Sequence, residues 1–314
     1  MFDTYFSFFV SRAESAQAQA QDVNPDPYGY RPTPAVCVLF LVLFGASTFI
    51  HFWQAIAYRK WFFLYTAVFA GLIELAGWSG RFWSSQNLSN GNAFLIQIVC
   101  TIIAPTPLLA ANFIILARMI EKLGHSYSRL GPRLYSRIFL SCDIIALVVQ
   151  GAGGGIASGH VSRSVLNLGS HIMLGGIIFQ LGVMICFIFL ATEYFWRYSR
   201  DRPIRTTQSL TPVIMSSKME LLVYAGMFNS GCLFIRSIYR TIELADGFDG
   251  KVIQTQWLFN LFDATMVVLA MFIYNFAHPG LLMVEDRDVT VDKNFNESQE
   301  YLPMESSTNL DLKV

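Results

Sequence analysis

Residues 35–57 read AVCVLFLVLFGASTFIHFWQAIA, an apolar run whose most polar side chains are His51 and Gln54. A helix needs about 20 such residues to cross the hydrocarbon core of a bilayer, so this stretch predicts a membrane-spanning helix. Six more runs of this kind follow, near residues 61–83, 93–117, 138–157, 169–192, 219–240 and 257–277. The runs are continuous rather than alternating, which excludes a transmembrane β-barrel. The sequence therefore predicts an all-α polytopic membrane protein with a seven-helix domain over residues 34–280.

The composition supports this class. Only 14% of the 314 residues are charged, whereas a soluble domain carries about 25%. A chain that is 54% hydrophobic is also not a disordered one. The 22 basic and 22 acidic residues cancel, so the basic excess of a nucleic-acid-binding protein is absent.

Positive charge in the connecting loops predicts the orientation, because Lys and Arg accumulate on the cytoplasmic side. The loops after predicted spans 1, 3 and 5 contain twelve such residues: Arg59, Lys60, Arg118, Lys122, Arg129, Arg133, Arg137, Arg197, Arg200, Arg202, Arg205 and Lys218. The loops after spans 2, 4 and 6 contain only Arg163 and Lys251. We therefore expect the N-terminus outside and the C-terminus in the cytoplasm. The sequon at Asn87 then lies on the outer side and predicts a glycan there.

The two ends of the chain read as tails. Residues 1–33 are expected to form an extracellular tail, with cleavage after a signal-like segment around Ala16-Gln17-Ala18 as an alternative. Residues 281–314 contain eight acidic and three basic residues and are expected to be a disordered cytoplasmic tail.

The motifs of common enzymes and receptors are missing from the sequence. There is no Gly-rich phosphate loop for ATP hydrolysis, and the five histidines lack metal-ligand spacing. Predicted span 7 has no lysine for a retinal Schiff base, and the usual receptor motifs are absent from spans 3 and 7. We expect no catalytic residue, no metal and no cofactor.

Ionisable side chains inside the predicted spans are the candidate functional residues, because each is costly at bilayer depth. Residues 74–81 read ELAGWSGR, which places Glu74 and Arg81 on one face of span 2, two turns apart. Span 6 places Arg236, Arg240 and Glu243 on one face, and span 7 contains Asp263. Three positive and three negative charges predict a paired, partly wet cluster between spans 2, 6 and 7. It is either a static lock between helices or part of a substrate or proton path, and the two uses are compatible.

A second set of polar residues predicts an interior seam through the other spans. Asp143 and Gln150 share a face of span 4, although Asp143 lies near the predicted cytoplasmic end, where pairing with a loop arginine is the alternative. In span 3, Gln97 is followed by Pro105, which must kink the helix. The remaining members are Gln180 in span 5 and His51 in span 1, and interhelical hydrogen bonding is the alternative role for each glutamine.

The charged, polar and proline-containing segments described above, taken in their order along the chain, resemble the fungal lipid-translocating exporter family. That family includes proteins of aminocholesterol resistance and sphingoid long-chain base exporters. The matching residues are Tyr28 to Pro32, His51, Glu74 to Arg81, Gln97, Ala104-Pro105, Pro132 to Tyr135, Cys142-Asp143, Gln150 to Gly154, Gly169, Gln180, Arg236 to Arg240, Glu243, Asp263-Ala264 and His278 to Gly280. The chain departs from the family at Gln256 and Asn260, where a Glu and a Tyr are usual.

The resemblance implies a plasma-membrane protein that moves amphipathic lipids or confers tolerance to toxic lipophiles, with the vacuolar or another internal membrane as the alternative location. Its partners would be membrane lipids or lipophilic small molecules. For a cationic amphiphile such as a sphingoid base, we expect Glu74 and Asp263 to act as counter-charges. Two alternatives stay open: a membrane sensor of lipid asymmetry that transports nothing, and a porphyrin or haem carrier that uses His51, His171 or His278.

Overall fold

The computed structural model describes residues 30–88, 91–157, 163–204, 215–247 and 250–283. Within them, seven helices are long and apolar enough to cross a membrane. These spans 1 to 7 are Pro34–Ala57, Trp61–Gln86, Gly91–Leu123, Pro132–Ile156, Ser164–Ser199, Ser217–Asp246 and Gln256–Leu282. The predicted number of spans is confirmed. Nearly all of both predicted tails, residues 158–162 and Ser89 of the sequon lie outside the described residues.

The helices extend beyond the apolar runs that predicted them, and span 4 shows the largest consequence. It begins at Pro132 rather than near residue 138, because Arg133 and Arg137 interrupt the apolar run without ending the helix. Proline suits this first helical position, since its missing N–H has no intrahelical partner there. Asp143 therefore lies near the middle of span 4 and not at its end, as the sequence had suggested.

Span 3 is interrupted in its middle, as the sequence predicted. One helix covers Gly91–Ile103 and the next covers Pro105–Leu123. Pro105 has no N–H to donate to the carbonyl of Thr101, four residues earlier, so this carbonyl is available to a side chain from another span.

Spans 2 and 7 each contain a short π-helical segment, at Leu64–Val68 and Phe259–Thr265. Segments of this kind are rare and often occur at functional sites. The second segment carries Asp263, and in it the hydroxyl of Thr265 donates to the carbonyl of Asn260 at 2.8 Å.

Glycines bring neighbouring helices into close contact. A Cβ added to Gly80 of span 2 would lie 2.9 Å from the carbonyl oxygen of Ala93 in span 3. One added to Gly153 of span 4 would lie 2.7 Å from the carbonyl oxygen of Gly169 in span 5. Span 4 remains one continuous helix through its glycines, so close packing, rather than a break, explains Gly153.

The distribution of side chains is that of a membrane protein. Large apolar side chains such as Phe49, Trp53 and Phe189 are more than 60% exposed. Seven charged side chains are instead buried in the bundle: Glu74, Arg81, Asp143, Arg236, Arg240, Glu243 and Asp263. The end of the bundle at which span 1 begins is called the Pro34 face. The opposite end is called the Ala57 face.

Candidate functional site

Four of the predicted charges form a compact network between spans 6 and 7, which we call the ion network. Arg240 binds Asp263 with two hydrogen bonds of 2.7 and 2.8 Å and donates a third to Glu243 at 2.7 Å. The other oxygen of Glu243 accepts from the hydroxyl of Tyr239 at 3.0 Å. Because Arg240 is 1% exposed, these bonds lie in a medium that screens charge poorly.

Arg236 completes the ion network and connects it to span 3. Its guanidinium lies 3.0 Å from Asp263 and donates to the carbonyl of Thr101, the one that Pro105 leaves without a helical donor. Arg240 also donates to the hydroxyl of Thr101 at 2.8 Å. The predicted kink in span 3 therefore supplies acceptors to both arginines of span 6.

The charges of the ion network cancel. This changes the expected roles of Glu74 and Asp263, the two carboxyls named above as counter-charges for a cationic ligand. Arg236 and Arg240 balance Asp263 and Glu243, and both oxygens of Asp263 are engaged by arginine. Glu74 is 1% exposed, and its Oε1 has no hydrogen-bond partner among the described residues. Of the two carboxyls, only Glu74 has an oxygen free to face a ligand.

Arg81 lies nearer the Pro34 face and makes contacts of another kind. It donates to the hydroxyl of Tyr30 at 2.6 Å and to Gln97 at 3.4 Å, and its guanidinium lies 4.4 Å from the ring centre of Phe259. Burial raises the pKa of Tyr30 against the opposing effect of Arg81, so the phenol stays protonated and accepts this bond. The predicted cluster of six charges is therefore found only in part: the four charges of spans 6 and 7 form the ion network. Arg81 of span 2 instead contacts span 3, the segment before span 1 and the ring of Phe259 in span 7.

Spans 2 and 7 also carry shielded polar side-chain atoms that make no hydrogen bond of good geometry in the described part of the chain, although Trp78 lies close enough to Glu74 to interact with it. These atoms are Glu74 Oε1, Trp78 Nε1, Ser84 Oγ, Gln256 Nε2 and Asn260 Oδ1. Buried polar atoms are nearly always paired with protein or water, so such a set marks a place for water or a polar ligand. Glu74 and Trp78 lie one turn apart on span 2, and Gln256 and Asn260 lie one turn apart on span 7. We call this set of atoms, which contains both donors and acceptors, the unpartnered column.

A second polar cluster joins spans 3, 4 and 5 and contains Asp143, Gln150 and Gln180 of the predicted seam. Gln97 and His51 do not belong to it, since Gln97 accepts from Arg81 and His51 contacts the carbonyl of Met271 in span 7. Gln180 donates to the hydroxyl of Thr106 at 3.1 Å and to Asp143 at 3.2 Å, and it accepts from Gln150 at 2.9 Å. Asp143 forms no ion pair with any described residue, so it is not paired with a loop arginine of the described segments. A small cavity with room for about one water molecule separates this cluster from the ion network. Its walls are Ile102, Pro105, Leu109, Gln180, Met184, Leu233, Arg236 and Ser237.

A third polar cluster, nearer the Ala57 face, was missed from the sequence. Asn112 of span 3 donates to Asn229 of span 6 at 2.8 Å and accepts from Tyr274 of span 7. Asn275 of span 7 donates to Ser47 of span 1 at 2.7 Å. The sequence feature that could have revealed this cluster is the presence of asparagines within apolar spans.

The histidines named for porphyrin or haem binding do not form one site. His51 contacts the carbonyl of Met271 at 3.0 Å, and His278 accepts from the backbone of Gly280 at 3.0 Å. Their rings lie 5.7 and 4.7 Å from the ring of Phe63, whereas His171 is exposed on span 5. The structure holds no group of three metal-binding side chains within the residues it describes.

Comparisons with known proteins identify the family of this chain and several of its relatives. The sequence model of the family described as RTA1 like protein matches residues 67–286. The sphingoid long-chain base transporter RSB1 of Saccharomyces cerevisiae is 29% identical over 279 residues, which is 80% of this chain and 73% of that protein. Protein RTA1 of the same yeast is 27% identical, over 68% of this chain and 64% of its own length. The probable lipid transporter atnI of Emericella nidulans is 27% identical, over 88% of this chain and 76% of its own length.

No solved structure matches the chain. The family match covers more than half of the sequence. It contains spans 3 to 7 completely and span 2 from residue 67 onward. The chain is therefore an integral membrane protein of the RTA1-like family, the family of lipid-translocating exporters that its sequence resembles.

Proposed function

We propose that this protein moves cationic amphipathic lipids, of the sphingoid long-chain base type, across a membrane without hydrolysing ATP. The observation that carries the proposal is Glu74, a buried carboxyl with one unpartnered oxygen next to a charge-balanced ion network. The names of two relatives support the substrate class, since one is called a sphingoid long-chain base transporter and another a probable lipid transporter.

The headgroup of such a lipid suits the unpartnered column. It carries an ammonium group, which pairs with a carboxylate, and hydroxyls, which both donate and accept hydrogen bonds. Glu74 offers an acceptor for the ammonium group, and Trp78, Gln256 and Asn260 offer a mixture of donors and acceptors. The hydrocarbon chain would remain in the lipid around the bundle, so only the headgroup has to enter the polar interior.

The cellular setting belongs to the proposal as well. The loop charges favour an N-terminus outside and a C-terminus in the cytoplasm. We place the protein in the plasma membrane, with a glycan on Asn87, where it would confer tolerance to toxic lipophiles.

A transport assay with purified protein in liposomes tests this function. Labelled probes would be a sphingoid base, its N-acetylated and therefore uncharged analogue, a sterol amine, a porphyrin and phosphatidylcholine. We expect the two amines to cross faster than in protein-free liposomes and the uncharged analogue to cross at the protein-free rate. A protein that moves none of the probes would contradict the proposal and favour the sensor, and movement of the porphyrin alone would favour the carrier.

A further inference from the structure

Asp143 is the one buried carboxyl in the described spans that lies outside the ion network and the unpartnered column. It is fully buried in span 4, and its Oδ1 accepts one hydrogen bond, from Gln180. No described residue donates to its Oδ2.

The surroundings of Asp143 carry no charge that would balance an ionised carboxylate. Span 5 presents Gln180 to it, and the same amide donates to Thr106 of span 3. Gln150 lies on its own helix and bonds to Gln180. Arg236 of span 6, on the far side of the small cavity from Gln180, already binds Asp263 and Thr101.

An unpaired carboxylate in such surroundings is expensive, and the usual remedy is that the group takes up a proton. The step needs no other reactant: a carboxylate oxygen forms an O–H bond with a proton from water, and breaking this bond returns the proton to water. The surroundings of Asp143 therefore favour the protonated carboxyl, and this equilibrium with water gives the residue a proton that it can hold or give up.

Gln180 and the cavity connect Asp143 to the ion network. Gln180 contacts Asp143 on one side and lines the cavity on the other, and Arg236 lines the same cavity. A change of charge at Asp143 alters the hydrogen bond that positions Gln180 and so acts on the wall that faces Arg236.

We propose that Asp143 is a proton-binding site whose loading is coupled to lipid movement through Gln180 and the cavity shared with Arg236. The coupling rests on the proposed function, because it requires that the protein move a lipid.

The test uses the full-length protein in liposomes that contain a pH-sensitive dye. The probe is a fluorescent long-chain base with a quaternary ammonium group, which carries no titratable proton. Lipid movement and internal pH are recorded with and without an imposed pH gradient. The variants are Asp143→Asn, the conservative Asp143→Glu, and Asp201→Asn as a matched control on an exposed carboxylate.

For wild type and Asp201→Asn we expect lipid movement that responds to the gradient and is accompanied by proton movement. Asp143→Asn should lose both the response and the proton movement, and Asp143→Glu should regain them in part. A gradient response that persists in Asp143→Asn would overturn the inference. Lipid movement without any proton movement in wild type would overturn it too while leaving the proposed function intact, whereas no lipid movement in wild type would overturn both.

Discussion

At the scale of single residues, the central contrast is between Glu74 and Asp263. The sequence presents both as carboxyls at bilayer depth, with equal claim to a cationic ligand. The structure separates them, because two arginines occupy Asp263 and none of the hydrogen bonds of Glu74 reaches an arginine among the described residues. We therefore expect Asp263 to hold spans 6 and 7 together, and Glu74 is left as the candidate for ligand binding.

The ion network predicts a large effect of removing its central arginine. Arg240→Met leaves Asp263 and Glu243 buried near a single arginine, and breaking a buried pair in this way costs about 3–5 kcal/mol. Thermal unfolding in detergent should show a clear fall in Tm.

The matched control for that variant is Arg129→Met. Arg129 also binds a carboxylate in two places, at 2.7 Å from each oxygen of Glu193, but its side chain is 56% exposed. Exposed pairs contribute about 0–1 kcal/mol, so its Tm should hardly change. Equal effects of the two substitutions would show that burial does not determine the strength of the ion network.

At the scale of elements, the interruption of span 3 is the feature with the clearest consequence. Pro105→Ala supplies an N–H for the carbonyl of Thr101, which then competes with Arg236 for this acceptor. We expect a Tm equal to or above that of wild type together with slower lipid movement in liposomes. Pro107→Ala is the control, since its N–H does not bear on the Thr101 carbonyl. A variant at residue 105 with unchanged transport would mean that the contact of Arg236 with span 3 is dispensable.

The contact between spans 4 and 5 predicts a difference between two glycines on one helix. A Cβ on Gly153 meets the backbone of span 5, whereas one on Gly151 meets nothing within 4 Å. Gly153→Val should destabilise the protein by about 1–3 kcal/mol through overpacking, and Gly151→Val should not. Denaturation of the two variants side by side measures the difference, and equal stabilities would argue against the observed packing of the two spans.

At the scale of the whole molecule, the number of spans, the interruption at Pro105 and the grouping of Arg236, Arg240, Glu243 and Asp263 were predictable from the sequence. The first two depend on hydrophobic length and on the chemistry of proline, which are local properties. The grouping was inferred from helical spacing within span 6 and from the need of a buried carboxylate for a cationic partner. The predicted position of Asp143 near the end of span 4 was wrong. Arg133 and Arg137 interrupt the apolar run, so the first turns of the helix were not recognised in the sequence. The free oxygen of Glu74 and the cluster around Asn112 were not predictable, since they depend on how the helices rotate against one another.

The orientation of the whole bundle has its own test. Asn87 is exposed at the end of span 2, on the same face as the start of span 1. If the N-terminus is outside, the protein should lose mass on treatment with a glycosidase, and Asn87→Gln should abolish the shift. A glycan acquired instead by an acceptor engineered between spans 3 and 4 would contradict the orientation.

The most direct test of the account is the dependence of transport on Glu74. The rates at which liposomes take up a labelled sphingoid base and its uncharged N-acetylated analogue are compared for wild type, Glu74→Gln and the matched Glu220→Gln, which changes an exposed glutamate of span 6. The account predicts that Glu74→Gln slows the amine by about tenfold or more, equivalent to about 1.4 kcal/mol in the barrier, with Glu220→Gln at the wild-type rate. An amine rate that is the same in Glu74→Gln and wild type, at equal protein content, would contradict it.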